Sequence, residues 1–600
     1  MDFEILQRQI KDLIDQDELD EALSIVHSQL LNSKYNFKSI PETSHLDVWR
    51  EKWQLQLLIS EIFRIQWQYN EALALAEGVL KESRHLGQLT LDTQLMATIA
   101  KALPLVMLRN IKEALKLTKD ANKFLESTRD SREINYERTA AVLELITAMA
   151  FFNLSKYREA LNHFKNSLEI LRQTERDDWL IGVGQIVESA TYCEIGKFSD
   201  GIKRLKASAA YNEAKGLSYN LCLNLGVIAN YHCEKGELMV AENFGLEALK
   251  FAEKKSKKSL LLATIHTILG RIYVARGELH KAEPLLLESV KISKSLESPY
   301  VFAPATTLGE LYRVKGNYNR AITYLTEGLQ AAREMGYRNA ESWTLDSLGS
   351  VYRDKGEFQT ASDILKKALT ERKALGNHAD TARTLFNLLL VALETKNVAE
   401  AKIQVQELKD LDGLMKNPII AHRATLADAL VLKHSPRIID KAQAQEKLLT
   451  LTVKEDIEAT IKILALLNLF DLLLLEWKVS EAEETLQEIH ALLELIKTIA
   501  KSQEMISLII ETNLLQATVA LIEGHMTQTD SLLIEAIALA KNHNLTHLIV
   551  KIQQLQNQIT SQIQEWQALL KQNASIAQRM EKADLEDYLD AARKLVLSFD

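Results

Sequence analysis

Proline and cysteine are scarce in this chain of 600 residues, and each scarcity closes off a class of protein. Seven prolines, against a usual ~5% of residues, leave few positions that force a helix to stop. Three cysteines, Cys193, Cys222 and Cys233, are too few for a disulfide framework and lack the paired spacing of a zinc site. A reducing, cytoplasmic compartment is therefore expected. The formal net charge of −9 is spread along the chain with no basic face, which argues against a nucleic-acid partner. The one basic cluster, Lys254-Lys255-Ser256-Lys257-Lys258, reads as a solvated helix C-terminus, where the helix dipole favours cations. The N-terminus is acidic where a signal peptide would be basic. The greasiest run, Leu464 to Leu475, is interrupted by Asn468 and Asp471 and falls short of the ~20 residues that span a bilayer. It reads as a buried helix, and no membrane partner is expected.

Catalytic signatures are missing as well. The chain has no phosphate-cradling glycine loop, no dinucleotide fingerprint, no zinc-protease histidine pair and no nucleophile elbow. His543 and His547 are four apart, a spacing zinc accepts, but no further ligand lies nearby, so they read as helix-surface residues. His232, Cys233 and Cys222 read as core, where a free cysteine behaves as a small hydrophobe. Carboxylate groups such as Glu586 with Asp590, or Glu481, Glu483 and Glu484, read as exposed helix faces. No enzymatic activity, metal or cofactor is expected.

What is present is a repeat. Three consecutive copies read Gly277-Glu-Leu279-His-Lys-Ala282, Gly316-Asn-Tyr318-Asn-Arg-Ala321 and Gly356-Glu-Phe358-Gln-Thr-Ala361, their glycines 39 and 40 residues apart. A fixed period of this size marks a solenoid, in which each unit buries its apolar face against its neighbours. The glycine ends one helix by accepting a left-handed backbone. The aromatic or leucine packs back between the helices, and the alanine lets the second helix come close. Weaker copies occur upstream (Gly236 to Ala241, Gly196 to Gly201, Ser155 to Ala160, and the turns before Ala114, Ala72 and Ala22). Downstream, Asn397 to Ala401 and Val479 to Ala482 are recognisable, while Arg437 to Ala442 and Gly524-His525 are marginal. A second glycine, at Gly216, Gly336 or Gly376, closes the second helix of several units. No stretch alternates with period two, so no sheet is predicted.

Within the first helices, Leu269-Gly270-x-x-Tyr273, Leu308-Gly309-x-x-Tyr312 and Leu348-Gly349-x-x-Tyr352 precede the turn glycine. Each unit then continues with its alanine and an apolar residue four later, Leu286, Leu325 or Leu365. This pattern resembles the tetratricopeptide repeat, strongly between about 220 and 400 and partially elsewhere. It departs from the family in its period, near 40 rather than about 34. His266, Ala305 and Leu345 stand where a Trp often opens the first helix, and the proline that often ends the second helix is missing. Such long-period arrays are similar to those of kinesin light chains and peptide-sensing regulators.

The resemblance implies an all-α fold: a right-handed α-solenoid superhelix of about a dozen helix-turn-helix units with a C-terminal helical cap. Degenerate units are expected over 1–215, a regular array over 216–410, degenerate units again over 411–545, and a long helix with a terminal helix over 546–600. The turn-rich stretch Asp410–Pro418 is expected to be a flexible joint. From Leu545 to Gln572 the pattern reads as one amphipathic helix. The last helix, Asp584–Ser598, carries Leu585, Leu589, Ala592 and Val596 on one face. It serves either as an end cap or as a self-ligand folded into the groove.

In tetratricopeptide arrays the first helices line the concave face. Carried onto this sequence, that places Asn230, Thr267, Arg271, Thr306, Glu310, Arg313, Trp343, Asp346, Ser350, Arg353, Arg383 and Asn387 in a polar groove. Arginine and asparagine there suit a peptide backbone and its carboxylates. The expected function is a scaffold or adaptor that binds a peptide or partner protein. The alternative is a ligand-sensing regulator whose superhelix changes pitch or releases its C-terminal helix.

Overall fold

The computed structural model describes residues 3–15, 18–31, 45–66, 68–108, 110–127, 135–154, 156–173, 178–195, 197–255, 259–296, 298–334, 337–454, 457–543, 545–583 and 585–597. Among them there are thirty α-helices and no strand. The first ten are α1 (Phe3–Asp15), α2 (Leu19–Leu30), α3 (Leu46–Ile65), α4 (Tyr69–Ser83), α5 (Leu91–Met107), α6 (Ile111–Ser127), α7 (Tyr136–Asn153), α8 (Tyr157–Gln173), α9 (Asp178–Glu194) and α10 (Phe198–Ala214). Next come α11 (Ser218–Glu234), α12 (Leu238–Lys255), α13 (Leu260–Arg276), α14 (Leu279–Ser295), α15 (Phe302–Val314), α16 (Tyr318–Glu334), α17 (Arg338–Asp354), α18 (Phe358–Leu375), α19 (His378–Glu394) and α20 (Val398–Met415). The remainder are α21 (Pro418–Lys433), α22 (Ile438–Thr452), α23 (Ala459–Ser480), α24 (Glu483–Ser502), α25 (Ile506–Glu523), α26 (Met526–Asn542), α27 (Thr546–Ser561), α28 (Ile563–Lys571), α29 (Ile576–Ala583) and α30 (Leu585–Leu597). Helices α1 to α26 form thirteen successive pairs, including both marginal ones.

Each feature of the repeat has its expected physical role. Gly236, Gly277, Gly316 and Gly356 hold φ between 70° and 84°, the left-handed conformation that ends the first helix. The alanines Ala241, Ala282, Ala321, Ala361 and Ala401 have no exposed surface, because the second helix crosses the first at that point. Gly201 occupies the same position in α10, and an added Cβ there would lie 2.3 Å from Cys193 Sγ. The long period comes from helix length: α13, α14, α16, α17 and α19 have 17 residues each, α18 and α20 have 18. The residues of three motifs, Gly336, Gly196 and Ser155, and of the cluster at Ser256-Lys257-Lys258, lie outside the described residues.

By their contacts the residues form two compact units. The first comprises Met1–Ile228, Glu247–Leu262 and Glu334–Tyr337; the second comprises Ala229–Leu246, Ala263–Arg333 and Arg338–Asp600. In the first unit, α3, α5, α7 and α9 pack one on the next, each second helix covering the outside of its pair. The second unit repeats the scheme with α15, α17, α19, α21 and α23. The burial pattern follows. Helix α18 buries one stripe, Ala361, Leu365, Ala368 and Arg372, whereas α17 is buried continuously from Thr344 to Val351.

Two expectations are corrected. Asp410 to Gly413 is not a joint: it lies inside α20, which ends at Met415 on a left-handed Lys416, and Pro418 opens α21. A proline at the first helical turn costs nothing, since its missing N–H has no partner there anyway. The tail is not one helix either, because the chain breaks at Gln562 (φ −105°, ψ 9°) between α27 and α28. The short α29 between tail and terminal helix has no counterpart in the sequence reading. Helix α25 is long and apolar enough to cross a bilayer, yet 94% of it is buried within the unit.

The second unit also closes upon itself. The N–H of Leu238 donates to Gln503 Oε1 at 2.7 Å, and Arg276 pairs with Glu242, Glu278 and Glu504. A Cβ at Gly277 would come 2.2 Å from Ser507 Oγ. The turn after α13 therefore rests on the N-terminus of α25.

Candidate functional site

The first helices of the second unit carry the residues singled out above, and several of these bind one another. Arg271 donates to Asn230 Oδ1 at 2.9 Å and Glu234 Oε1 at 3.1 Å, reaching from α13 to α11. Arg313 donates to Glu310 on its own helix and to Asp354 at the end of α17, both at 2.7 Å. Arg353 donates to the other oxygen of Asp354 and to Asn387 on α19. Asn387 in turn donates to Asp346 Oδ2 at 3.0 Å, and the fully buried Arg372 stands 3.4 Å from that carboxylate. A polar ladder thus links α15, α17, α18 and α19.

Burial alone would pull Arg313 down and push Asp354 up, but their mutual attraction, with Glu310 and Arg353 adding, outweighs it. Arg313 is held above its ordinary range and Asp354 below its own. Arg271 is likewise raised by Glu234 against a desolvation that would lower it.

Six of the expected groove residues, Thr306, Arg313, Asp346, Ser350, Arg353 and Asn387, are buried. Thr306 has no exposed surface and bonds Phe302 O and Thr344 Oγ1, so it packs between first helices. Thr267 bonds Ala263 O and Ser289 on its own second helix. Asn230, Arg271, Glu310, Trp343 and Arg383 keep partial exposure, and Arg383 lies 3.7 Å from Asp380.

The sequence reading missed Asp354, Arg372 and Glu234. The signal was there: Arg313–Asp354, Arg271–Asn230 and Asn387–Asp346 are each 41 residues apart, one repeat period, so aligning the units pairs them.

The face is also occupied. Helices α29 and α30 pack against α23 and α25, burying Tyr588, Leu589, Ala592 and Val596. Each large apolar side chain so buried contributes ~1.5–3 kcal/mol. Arg593 donates to Asp471 Oδ2 at 2.7 Å, and Lys433, bonded to Asn468 at 2.8 Å, pairs with the same carboxylate. Burial pushes Asp471 up, but Lys433 and Arg593 hold it down at about 2. Burial, with Arg593 adding, pulls Lys433 down to about 8 against the attraction of Asp471. Lys551 salt-bridges Glu511 at 2.8 Å and lies 5.3 Å over the Tyr588 ring. At the helix end, Arg313 donates to Leu597 O at 3.4 Å, a cation at the negative end of the helix dipole.

Cys222 is buried and donates to Ala248 O at 3.2 Å, its thiol pushed up to about 12 by burial. His232 pairs with Glu237 and stacks on Phe244. The side chains of His547 and Glu586 lie outside the described residues.

Successive helix pairs, with left-handed glycine turns at Gly236, Gly277, Gly316 and Gly356 and buried alanines after them, define a helical-repeat protein of the tetratricopeptide type. Residues 263–554 match the MalT-like TPR region, and these residues fall almost wholly within the second unit. No curated protein matches the chain. Among solved structures, a Rap protein complexed with competence and sporulation factor is 14% identical, covering 61% of this chain and 99% of its own, with a TM-score of 0.46. A signal-transduction ATPase with a tetratricopeptide sensor from Pyrococcus horikoshii is 15% identical, covering 72% of each chain (TM-score 0.36). The APC/C assembly Cut9–Hcn1 is 13% identical, covering 78% of this chain and 96% of that one (TM-score 0.38).

Proposed function

We propose that the second unit is a protein-binding scaffold whose inner face receives a helical or extended segment of a partner, and that α30 holds this face until the partner displaces it. One observation carries the reading: α30 lies on the first helices α23 and α25, with its apolar residues buried there and its last carbonyl at Arg313. An end cap would need only to cover the last pair. This helix instead reaches a residue 284 positions earlier. The surface it covers therefore suits an amphipathic helix with a cation placed as Arg593 is, opposite Asp471.

The arginine ladder plays a supporting part. Because Arg313 and Arg353 are already paired with Asp354, it stiffens the first helices and keeps the face preorganised, which lowers the entropic cost of binding. The test uses the full chain. Leu589→Asp removes the buried anchor of α30, and a labelled peptide of residues 585–597 is then offered in solution. The variant should bind the peptide at least tenfold more tightly than the unaltered chain, and adding Asp471→Arg should abolish the gain. Equal binding by both chains, or a variant that melts earlier without gaining affinity, would leave α30 a permanent cap and overturn the proposal.

A further inference from the structure

The first unit presents its own face of first helices, and among the described residues no helix lies across it. A cavity of about 560 Å³ opens between α1, α3, α5, α7 and α9, all first helices, within the ~300–1,000 Å³ range of small-ligand sites. Its wall is divided. Leu58, Met96, Ile99, Leu103 and Val142 supply an apolar side, while four cations, among them Arg8 and Lys11, face two carboxylates.

Arg64 is the feature that asks for a ligand. It is 6% exposed and lines both this cavity and a small void of about 30 Å³. Its guanidinium stacks 4.0 Å over the Trp179 ring. Its one carboxylate, Glu61, stands 3.5 Å from Nη2, and Nη1 is buried without a partner. Leaving a buried donor unmade costs ~1–3 kcal/mol, more for a charged group. Desolvation accordingly lowers Arg64 despite Glu61, whereas the paired arginines Arg271 and Arg313 of the second unit are raised.

We infer that this cavity binds a carboxylate carried on an apolar body, with the Arg64 guanidinium and the other cations of its wall receiving the carboxylate and the Leu58–Met96–Leu103 wall receiving the body. Guanidinium–carboxylate bonds are among the strongest charge-assisted pairs, and the stacked Trp179 holds the guanidinium plane in place. The same chemistry is offered by the free C-terminus of a peptide and by a small amphipathic acid.

Calorimetric titration of the full chain distinguishes the sources. The probes are acetyl-Leu-Leu-Leu with a free C-terminus, the same peptide amidated, decanoate and decanol. At least one acid should bind, and its neutral counterpart should bind tenfold or more weakly. The acid that binds identifies the source. Arg64→Gln should weaken the acid at least tenfold. Met96→Glu, at a side chain 46% exposed on the cavity wall, should weaken it several-fold while leaving the melting temperature unchanged. If no acid binds, the inference is wrong. It is equally wrong if acid and neutral probe bind alike, or if both variants bind as the unaltered chain does.

Discussion

The two units are built from the same helix pairs, yet their inner faces differ in how their charges are settled. In the second unit Arg313 and Arg353 both pair with Asp354, and Arg372 stands 3.4 Å from Asp346 while its Nε and Nη2 stay buried without partners; the chain's own last helix packs on α23 and α25. In the first unit Arg64 keeps an unpartnered Nη1 beside a cavity of about 560 Å³. An inner face whose charges are matched within the chain is a rigid platform. One whose charge is left partly unmatched retains the free energy to recruit an anion from outside.

The largest expected effect tests the matched side. Asp354→Ala leaves the buried Arg353 without its carboxylate and the buried Arg313 with Glu310 alone, and breaking a buried pair in this way costs ~3–5 kcal/mol. Urea unfolding should show it as a fall in midpoint; a loss below 1 kcal/mol would mean the ladder is not compensating charge.

Closure of the second unit comes next. Gly277→Ala combines a left-handed φ of 76° with contact on Ser507 and should cost ~1–3 kcal/mol. Gly316→Ala, with φ 70° and nothing within 4 Å, should cost only the backbone term of ~1 kcal/mol. Equal losses by thermal melting would argue that the contact with α25 contributes nothing.

A smaller effect concerns Arg593→Ala, which removes a charge-assisted bond worth ~1 kcal/mol to the seat of α30. Hydrogen exchange over residues 585–597 should quicken while α19 stays protected. Uniform quickening would point to a global loss instead.

Lys433 supplies a pH signature. Its folded value of about 8 lies below the ordinary 10.5, so between these values the unfolded chain holds a proton that the folded chain lacks. Stability from this group therefore rises with pH across that window. The urea midpoint of the unaltered chain should gain on that of Lys433→Met between pH 7.5 and 9.5, and parallel curves would contradict it.

The smallest effect belongs to the open face. Arg64→Met replaces an under-compensated buried charge with an apolar chain and should leave stability within ~1 kcal/mol or raise it. A loss of the size expected for Asp354→Ala would erase the contrast between the two faces.

Much of the fold was legible because its causes are local. A glycine cap, a small crossing residue and a 3.6-residue apolar stripe act within one unit; at Gly524-His525, where the pattern looked marginal, the glycine cap holds and Thr529 is the buried crossing residue, whereas at Arg437 to Ala442 the helices form with no glycine and with Ala442 exposed. The candidate site was legible in position only. The recurring arginines were found on the right helices, but not their partners one period away, so they read as free clamps when they are rungs. The cavity around Arg64 left no sequence trace, since α1, α3, α5, α7 and α9 contribute to it from units too degenerate to align.

By itself the sequence determined the helix pairs, their forty-residue period and the small residues at which they cross, because each depends on neighbours within a turn or two of helix. Only the tertiary structure decided which inner face is filled and which is open. Arg593 reaches Asp471 across 122 residues and Arg313 reaches Leu597 across 284. Pairings at such separations depend on how the whole array winds, which no single unit encodes. Whether a buried charge is matched therefore becomes a property of the closed array.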